Sequence, residues 1–468
     1  MGGTGQTTLT TQVFSGRCLG QGRVWDCECA NNALFSFLNC SVWQSFKRLP
    51  TTLERVRFRK NARRMRKLSK LDIFDTPSLE VFSVIQLCAI DGPLFPNLKA
   101  FNFWGIQSSF IPFIPLFLSP ATTAIDFMFD GSDISKAMVA SSVMTFPILC
   151  PNLWAIHFCS LPRDPIITTA VSGMLLVTNR DTLQKLDVDS PLTEEASEVI
   201  YKLPNLRSLS VVIGRGTSLP SASLPNLADL MIECDSEGDW PQLFHRAGLG
   251  KLESVTFSLR SEQIGDFLGA FKWAAFSSSI QNTLSKLHLN ASCPWNPDYS
   301  SLLPFTQLVD LIIGSPCGRE CSSTVDDDVI ISLSRAMPKL KVLQLANPPC
   351  SQFTTGVTVK GLAALAHHCP DLSRLCIHFQ VASLSVPPAT PRVARSSEST
   401  ASWTDCALTD LVVGRIPVPE QSVSIVAVTL ARIFPRIERI KYLGPEGGWE
   451  KVKDAICLSK KIIDSSSK

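Results

Sequence analysis

The sequence predicts an α/β fold built as a right-handed solenoid, with a curved parallel sheet on its concave face and helices on its convex face. Three observations carry that prediction. A hexad of the form Leu-x-x-Leu-x-Leu, with apolar substitutes, recurs along the chain. A proline and a polar residue stand just before many of the hexads. Stretches of helical periodicity fill the intervals.

The hexads read Leu68/Leu71/Ile73, Leu98/Phe101/Phe103, Leu153/Ile156/Phe158, Leu183/Leu186/Val188, Leu206/Leu209/Val211 and Leu227/Leu230/Ile232. They continue as Leu252/Val255/Phe257, Leu284/Leu287/Leu289, Leu308/Leu311/Ile313, Leu340/Leu343/Leu345, Leu372/Leu375/Ile377, Leu408/Leu411/Val413 and Ile437/Ile440/Tyr442. A weak copy with Ile125 and Phe127 fills the gap after the second. Counting that copy from Thr122, successive first positions lie 21 to 36 residues apart. Leucine-rich repeats run about 20 to 29 residues, so this is a leucine-rich-repeat pattern with several long units.

The proline pairs are Pro96-Asn97, Pro151-Asn152, Pro204-Asn205, Pro225-Asn226, Pro338-Lys339 and Pro370-Asp371. Proline cannot continue a helix, so the chain turns into the strand at the same point each time. Between hexads, Asp326 is placed to cap a helix carrying Val329, Ile330, Leu333 and Met337 on one side. Thr193, with Glu194 and Glu195, starts another that buries Val199, Ile200 and Leu203. Segments 359–368 and 422–434 read the same way. The repeat domain is expected over residues 65–445, after an N-terminal segment over 1–64 and before a C-terminal tail over 446–468.

Composition fits one long stacked core. The 468 residues are 45% hydrophobic and 18% charged, with mean hydropathy +0.16. The net charge of +3 demands neither nucleic acid nor an anionic membrane as partner. The sixteen cysteines are scattered, without zinc-finger spacing, and read as reduced thiols of an intracellular chain, cytoplasmic or nuclear. No signal peptide is read at the start, and no stretch is long and apolar enough to predict a membrane span.

Strand alternation then selects a candidate binding face. The fourth and sixth hexad residues point into the core, whereas the third, fifth and seventh line the concave face. A solenoid usually binds there. The candidate protein-binding residues are Trp104, His157, Asp187, Asp189, Glu233, His288, Asn290, Arg374 and His378, with Asp229 and Lys286 beside them. The middle of this face is expected to be acidic and the later part more basic, which suits a protein partner.

The irregular repeats with Cys-Pro-x-Leu turns resemble the F-box/leucine-rich-repeat proteins, in particular the large fungal set. Residues 361–375, Gly-Leu-Ala-Ala-Leu-Ala-His-His-Cys-Pro-Asp-Leu-Ser-Arg-Leu, match most closely, and residues 92–98, Gly-Pro-Leu-Phe-Pro-Asn-Leu, are a second match. The resemblance spans roughly residues 43 to 445. It implies a substrate receptor of a cullin-RING ubiquitin ligase, in which an F-box docks on the adaptor and the repeats hold the substrate. The chain departs from that pattern near its N-terminus. Leu49-Pro50 is followed by a basic stretch, and residues 1–64 hold no clear F-box. A ligase adaptor is therefore expected only if an F-box exists outside the readable sequence.

Other signals have plainer readings. Residues 54–70 hold nine Lys or Arg and one acid, +8 against −5 for the rest of the chain. Nucleic-acid contact would use such a cluster, but no aromatic stacking platform accompanies the charges. A solvated helix with Val56, Phe58, Met65 and Leu68 turned inward is the favoured reading. His367-His368 falls at a helix end, where a cation complements the dipole. The other histidines are too scattered to predict a metal site. No nucleophile elbow, phosphate loop, dinucleotide fingerprint or zinc-protease motif is present, so no catalytic residue and no cofactor are predicted. Residues 381–406, rich in Ser and Pro, read as a surface loop.

Overall fold

The computed structural model describes residues 51–68, 86, 89, 92–106, 108–129, 135–162, 164–178, 180–200, 202–213, 224–234, 249–259, 280–291, 299–314, 325–345, 356–381, 406–414, 417–442 and 448–466. The first half runs α1 (Thr52–Ala62), β1 (Lys67–Leu68), β2 (Ala100–Ile106), α2 (Ile114–Phe117), β3 (Ala124–Phe129), α3 (Lys136–Leu149), β4 (Ala155–Cys159), α4 (Pro165–Val177), β5 (Lys185–Pro191), α5 (Glu194–Ile200), β6 (Ser208–Ile213) and β7 (Asp229–Cys234). The second half runs β8 (Ser254–Leu259), β9 (Lys286–Ala291), β10 (Asp310–Gly314), α6 (Asp327–Ala336), β11 (Val342–Leu345), α7 (Val359–His368), β12 (Arg374–Ile377), β13 (Asp410–Val413), α8 (Val423–Ile433), β14 (Arg439–Tyr442) and α9 (Trp449–Ser466).

All fourteen strands join one sheet in strict chain order, and every neighbouring pair is parallel. Helices of successive units pack side by side, α3 on α4, α4 on α5, α6 on α7 and α8 on α9. The chain is a leucine-rich-repeat solenoid.

Register explains the hexad. The fourth residue of each unit pairs with the fourth of the next, giving the buried row Leu68, Phe101, Ile125, Ile156, Leu186 and onward to Leu375, Leu411 and Ile440. Sixth residues form a second row, aromatic near the start, where Phe127 and Phe158 stack with ring centroids 6.1 Å apart. First positions such as Leu98, Leu227 and Leu340 close the core from the edge.

The first unit is displaced from its expected place. Leu68 pairs with Phe101, the fourth residue of the next hexad, so Met65 rather than Leu68 holds the first position. Residues 71 and 73 of the expected hexad lie outside the described residues. Leu68 is apolar in either frame, which is why the slip is invisible in the sequence.

The proline pairs make a tight turn. The N–H of Leu98 donates to the Phe95 carbonyl, Leu227 to Leu224, Leu340 to Met337 and Leu372 to Cys369. Proline thus occupies the second turn position, where its fixed φ is already correct. Asn97, Asn205 and Asn226 use their side-chain amides to bridge to carbonyls of the preceding unit, those of Arg63, Asp181 and Pro204.

The expected helices form for the expected reasons. Asp326 accepts from the Val329 N–H at 2.9 Å, and Ile330, Leu333 and Met337 are buried. Thr358 caps α7 through the Lys360 N–H. Asp327 at the head of α6 accepts from the Thr358 N–H and hydroxyl and the Gly361 N–H, tying the two helix starts together. Two segments differ from expectation. The 446–468 tail contains α9, whose Trp449, Val452 and Ile456 are buried and close the end of the core. In the basic segment Met65 and Leu68 are buried as expected, but Val56 is exposed and faces away from the core. The side chain of Phe58 lies outside the described residues.

Leu343 is fully buried in the middle of the fourth-position row. Leu343→Asp should destabilise the protein by at least about 3 kcal/mol, because a carboxylate would be buried without a partner. Hydrogen exchange should show lost protection in β10 and β12 as well as β11. Melting and exchange equal to the parent would refute the assignment of inward positions.

A candidate protein-binding face on the parallel sheet

The sheet face turned away from the helices consists of three rows, formed by the third, fifth and seventh hexad residues. Because the register is unbroken across most junctions, side chains of one row stand about 4.8 Å apart, strand to strand. What each row contains is therefore a chemical sequence read across the repeats.

The fifth-position row holds the most organised group. Asp126 on β3, His157 on β4 and Asp187 on β5 are direct register partners. Nδ1 of His157 lies 2.7 Å from Oδ1 of Asp126, and Nε2 lies 3.0 Å from Oδ2 of Asp187. Both bonds favour the imidazolium and outweigh burial, raising the pKa of His157 to about 9. Burial would raise the Asp187 carboxyl, but its bonds to His157 and Ser210 prevail and hold it below the ordinary carboxylate range. The clamp carries two carboxylates on one cation, a net charge of −1.

Cys159, two residues along β4, places its sulfur 2.9 Å from Nε2 of His157. A Cys-His-Asp alignment of this kind invites a nucleophilic reading. The charges oppose it. Burial first, and then Asp187, Asp189 and Asp126, push the thiol up to about 11, so it stays protonated at neutral pH. An imidazolium held by two carboxylates cannot take the thiol proton. Asp189 itself accepts from the Ser160 N–H at 2.7 Å and holds Ser160 in a left-handed conformation, φ +55°.

The third-position row becomes a ladder of alternating sign toward the C-terminal end: Lys286, Asp310, Val342, Arg374, Asp410 and Arg439. Arg439 pairs with Asp410, its NH2 nitrogen 2.6 Å from Oδ2 and its Nε against Oδ1. Arg374 is exposed between Val342 and Asp410. His288 sets Nε2 3.2 Å from Oδ2 of Asp310, too poorly aligned for a hydrogen bond. Asp229 and Lys286 are exposed, and Glu233 and Asn290 are half-buried on this face. The later part is thus mixed in sign rather than simply basic.

Two expected residues fare differently. Trp104 lies on β2 in register with Met128, but its side chain lies outside the described residues. His378 is buried rather than open to a partner, and β12 ends one residue before it, at Ile377. The imidazole fills the space above Gly414, where a Cβ would fall inside the ring, and burial lowers its pKa to about 4. His368 also departs from expectation. Burial, then His367 and Arg335, lowers its pKa and disfavours the cation at the end of α7.

Asp126, Cys159, Asp310, Asp410 and Arg439 belong to the face but were not among its sequence candidates. Each occupies a third, fifth or seventh position, so the parity rule itself could have found them. Among the described residues no cluster of three metal-ligating side chains occurs, and no helix is long and apolar enough to cross a membrane.

No family model and no curated protein matches the chain. Among solved structures, a leucine-rich-repeat protein of Leptospira interrogans is similar over 86% of this chain and 97% of its own, at 14% identity and a TM-score of 0.35. The fold assignment stands on the strand order and register.

The clamp makes stability depend on pH. Its folded pKa lies above the value near 6.5 of an unfolded histidine, so its contribution is complete below about pH 6.5 and is lost as pH rises through about 9. The melting-temperature gap between the parent and His157→Asn should narrow over that interval. In an NMR titration, a His157 midpoint below 7 would remove the imidazolium from the account.

Proposed function

We propose that this chain is a protein-recognition module, not an enzyme, and that it holds a protein partner on the concave sheet. The observation that carries the reading is the charged ladder, a face whose ionic groups are set in rows by register, with Arg439 held on Asp410 before any partner arrives. Preorganised charges lose little entropy on binding and discriminate between partners by sign. We further propose that the module is a substrate receptor related to the F-box subunits of cullin-RING ubiquitin ligases. Support for this comes from the Cys-Pro-x-Leu turns and the segment 361–375. The N-terminal stretch without a readable F-box favours a second reading, a stand-alone interaction scaffold. A nucleic-acid partner would have to use the basic residues of α1 and the segment after it.

Affinity capture from a lysate, with the full chain as bait, separates these readings. Recovery of the ligase adaptor and cullin supports the receptor. A partner recovered without them supports the scaffold, and affinity for nucleic acid falling steeply with salt supports the third reading.

With a captured partner in hand, calorimetry tests the face. Arg374→Ala, and Trp104→Ala at the other end of the sheet, should each cost about 2 kcal/mol or more, near thirtyfold in affinity. Asp187→Ala and Glu233→Ala should mainly change association rate and salt sensitivity. Glu194→Ala and Arg335→Ala, exposed on the outer helices α5 and α6, should be nearly silent. If the outer pair weakens binding more than the inner pair, the partner sits on the convex side.

A further inference from the structure

The convex side contains a surface that the recognition reading does not use. Helices α3 and α4 pack side by side, and Lys136 at the head of α3 is their sole charged residue. The outer side of α3 shows Ala137, Ser141, Met144 and Ile148, all exposed and spaced four, three and four apart. That of α4 shows Ile166, Thr169, Gly173 and Leu176, spaced three, four and three, followed by Val177. Met144 lies across Gly173, with its sulfur 3.0 Å from where a Cβ would stand, so the two stripes form one continuous surface. Trp154, just after α3, adds an exposed indole at the edge where both helices end.

The exposures are large for apolar side chains, 78% for Ile148, 61% for Val177, 56% for Ile166 and 45% for Trp154. A contiguous apolar surface of this kind on a soluble fold marks an interaction site. On α8, among the described residues, exposed aliphatic side chains are diluted by neighbouring charge. Ile425 and Val428 of α8 lie beside α9, which carries Glu450, Lys451, Lys453 and Asp454. Spacing of three and four is the pattern by which helices interlock along a shared seam. The small exposed residues Ala137 and Ser141 let a second pair of helices approach closely, while Gly173 lets α3 and α4 approach each other.

We propose that this face joins two copies of the chain, α3 and α4 of one copy packing on α3 and α4 of the other as a four-helix contact. Charge selects this occupant. A two-fold contact sets the same patch against itself, so any charge near its centre meets its own like. Along the outer stripes of both helices no charge occurs, and the one ion pair, Lys136 with Asp164, sits at their heads, so the centre of the patch avoids that repulsion. The concave faces stay open, so the dimer would present two recognition surfaces.

Light scattering on the full chain after size exclusion, across a low- to high-micromolar range, should give twice 51.3 kDa. Ile148→Glu combined with Val177→Glu should weaken dimerisation at least about tenfold with an unchanged circular dichroism spectrum and melting curve. Leu176→Lys serves as a second disrupting variant should the first one melt early. Ile425→Glu with Val428→Glu, on α8, should leave the dimer intact. A monomer throughout the range overturns the proposal. So does a dimer indifferent to the α3–α4 variants or dispersed equally by the α8 pair. Flotation of a monomer with zwitterionic lipid vesicles would assign the face to a membrane surface and overturn it as well.

Discussion

At each junction between repeats, one carbonyl holds the stack in register. The second residue of each hexad turns its C=O toward the next unit and accepts two N–H groups, those of the second and third residues there. Arg66 accepts from Lys99 and Ala100, Lys99 from Thr123 and Ala124, Thr123 from Trp154 and Ala155, and so on to Thr409, which accepts from Glu438 and Arg439. The bonds run from 2.6 to 3.2 Å over the whole molecule. With both lone pairs engaged, a unit cannot slide by one residue without surrendering two bonds and turning its apolar residues outward. The rows of core residues and the rows of exposed residues both follow from this lock. Variable repeat length does no harm, because the extra residues fall between the lock points.

The face that results is ordered by the same lock. An imidazole between two carboxylates on a mobile surface would contribute little, since the pair must first be assembled. Asp126, His157 and Asp187 are assembled by the register of β3, β4 and β5, and their side chains are about one quarter exposed. Partial burial strengthens the interaction, and paired charges offset the cost of desolvation. The proposed dimer surface relies on the opposite chemistry. On the helix side no register constrains the outward residues, so α3 and α4 can be almost free of charge while the sheet between them and the partner face stays ionic.

Much of this was legible in the sequence, because packing imposes it. The parity of the hexad, the proline turns and α7, expected over 359–368 and found at Val359–His368, all express the apolar core. Reading failed where the physics was degenerate or local. Leu68 is apolar in two frames, and only the pairing with Phe101 decides between them. His378 fits the alternation, yet it lies one residue past β12 and is buried over Gly414. Asp126 sits in the unit whose first position is Thr122 rather than Leu, a threonine buried by its bond to the Ser119 N–H. The helix of α9 is masked by its mixed charges, although Trp449, Val452 and Ile456 stand three and four apart. Side-chain pairing on the open face was not legible, because parity places residues in a row without saying which of them touch.

Core positions answer to the neighbouring repeat, whereas third, fifth and seventh positions answer chiefly to whatever lies against them. A fold of this kind can therefore be recognised while its partner is not. If the partner lies on this sheet as proposed, the alternating ladder restricts it. Along Lys286, Asp310, Val342, Arg374, Asp410 and Arg439, a displacement of one strand, about 4.8 Å, sets most partner charges against their like. Such a mismatch costs more than the correct match gains, since repulsion adds to the loss of pairing. At the Asp126–His157–Asp187 end the face is net negative and tolerates displacement less strictly, requiring only a positive neighbour. One end of the sheet thus selects by sign and the other by spacing. A partner of the kind we propose would be basic at one end and alternating at the other, with its charges held on a rigid scaffold rather than a flexible tail.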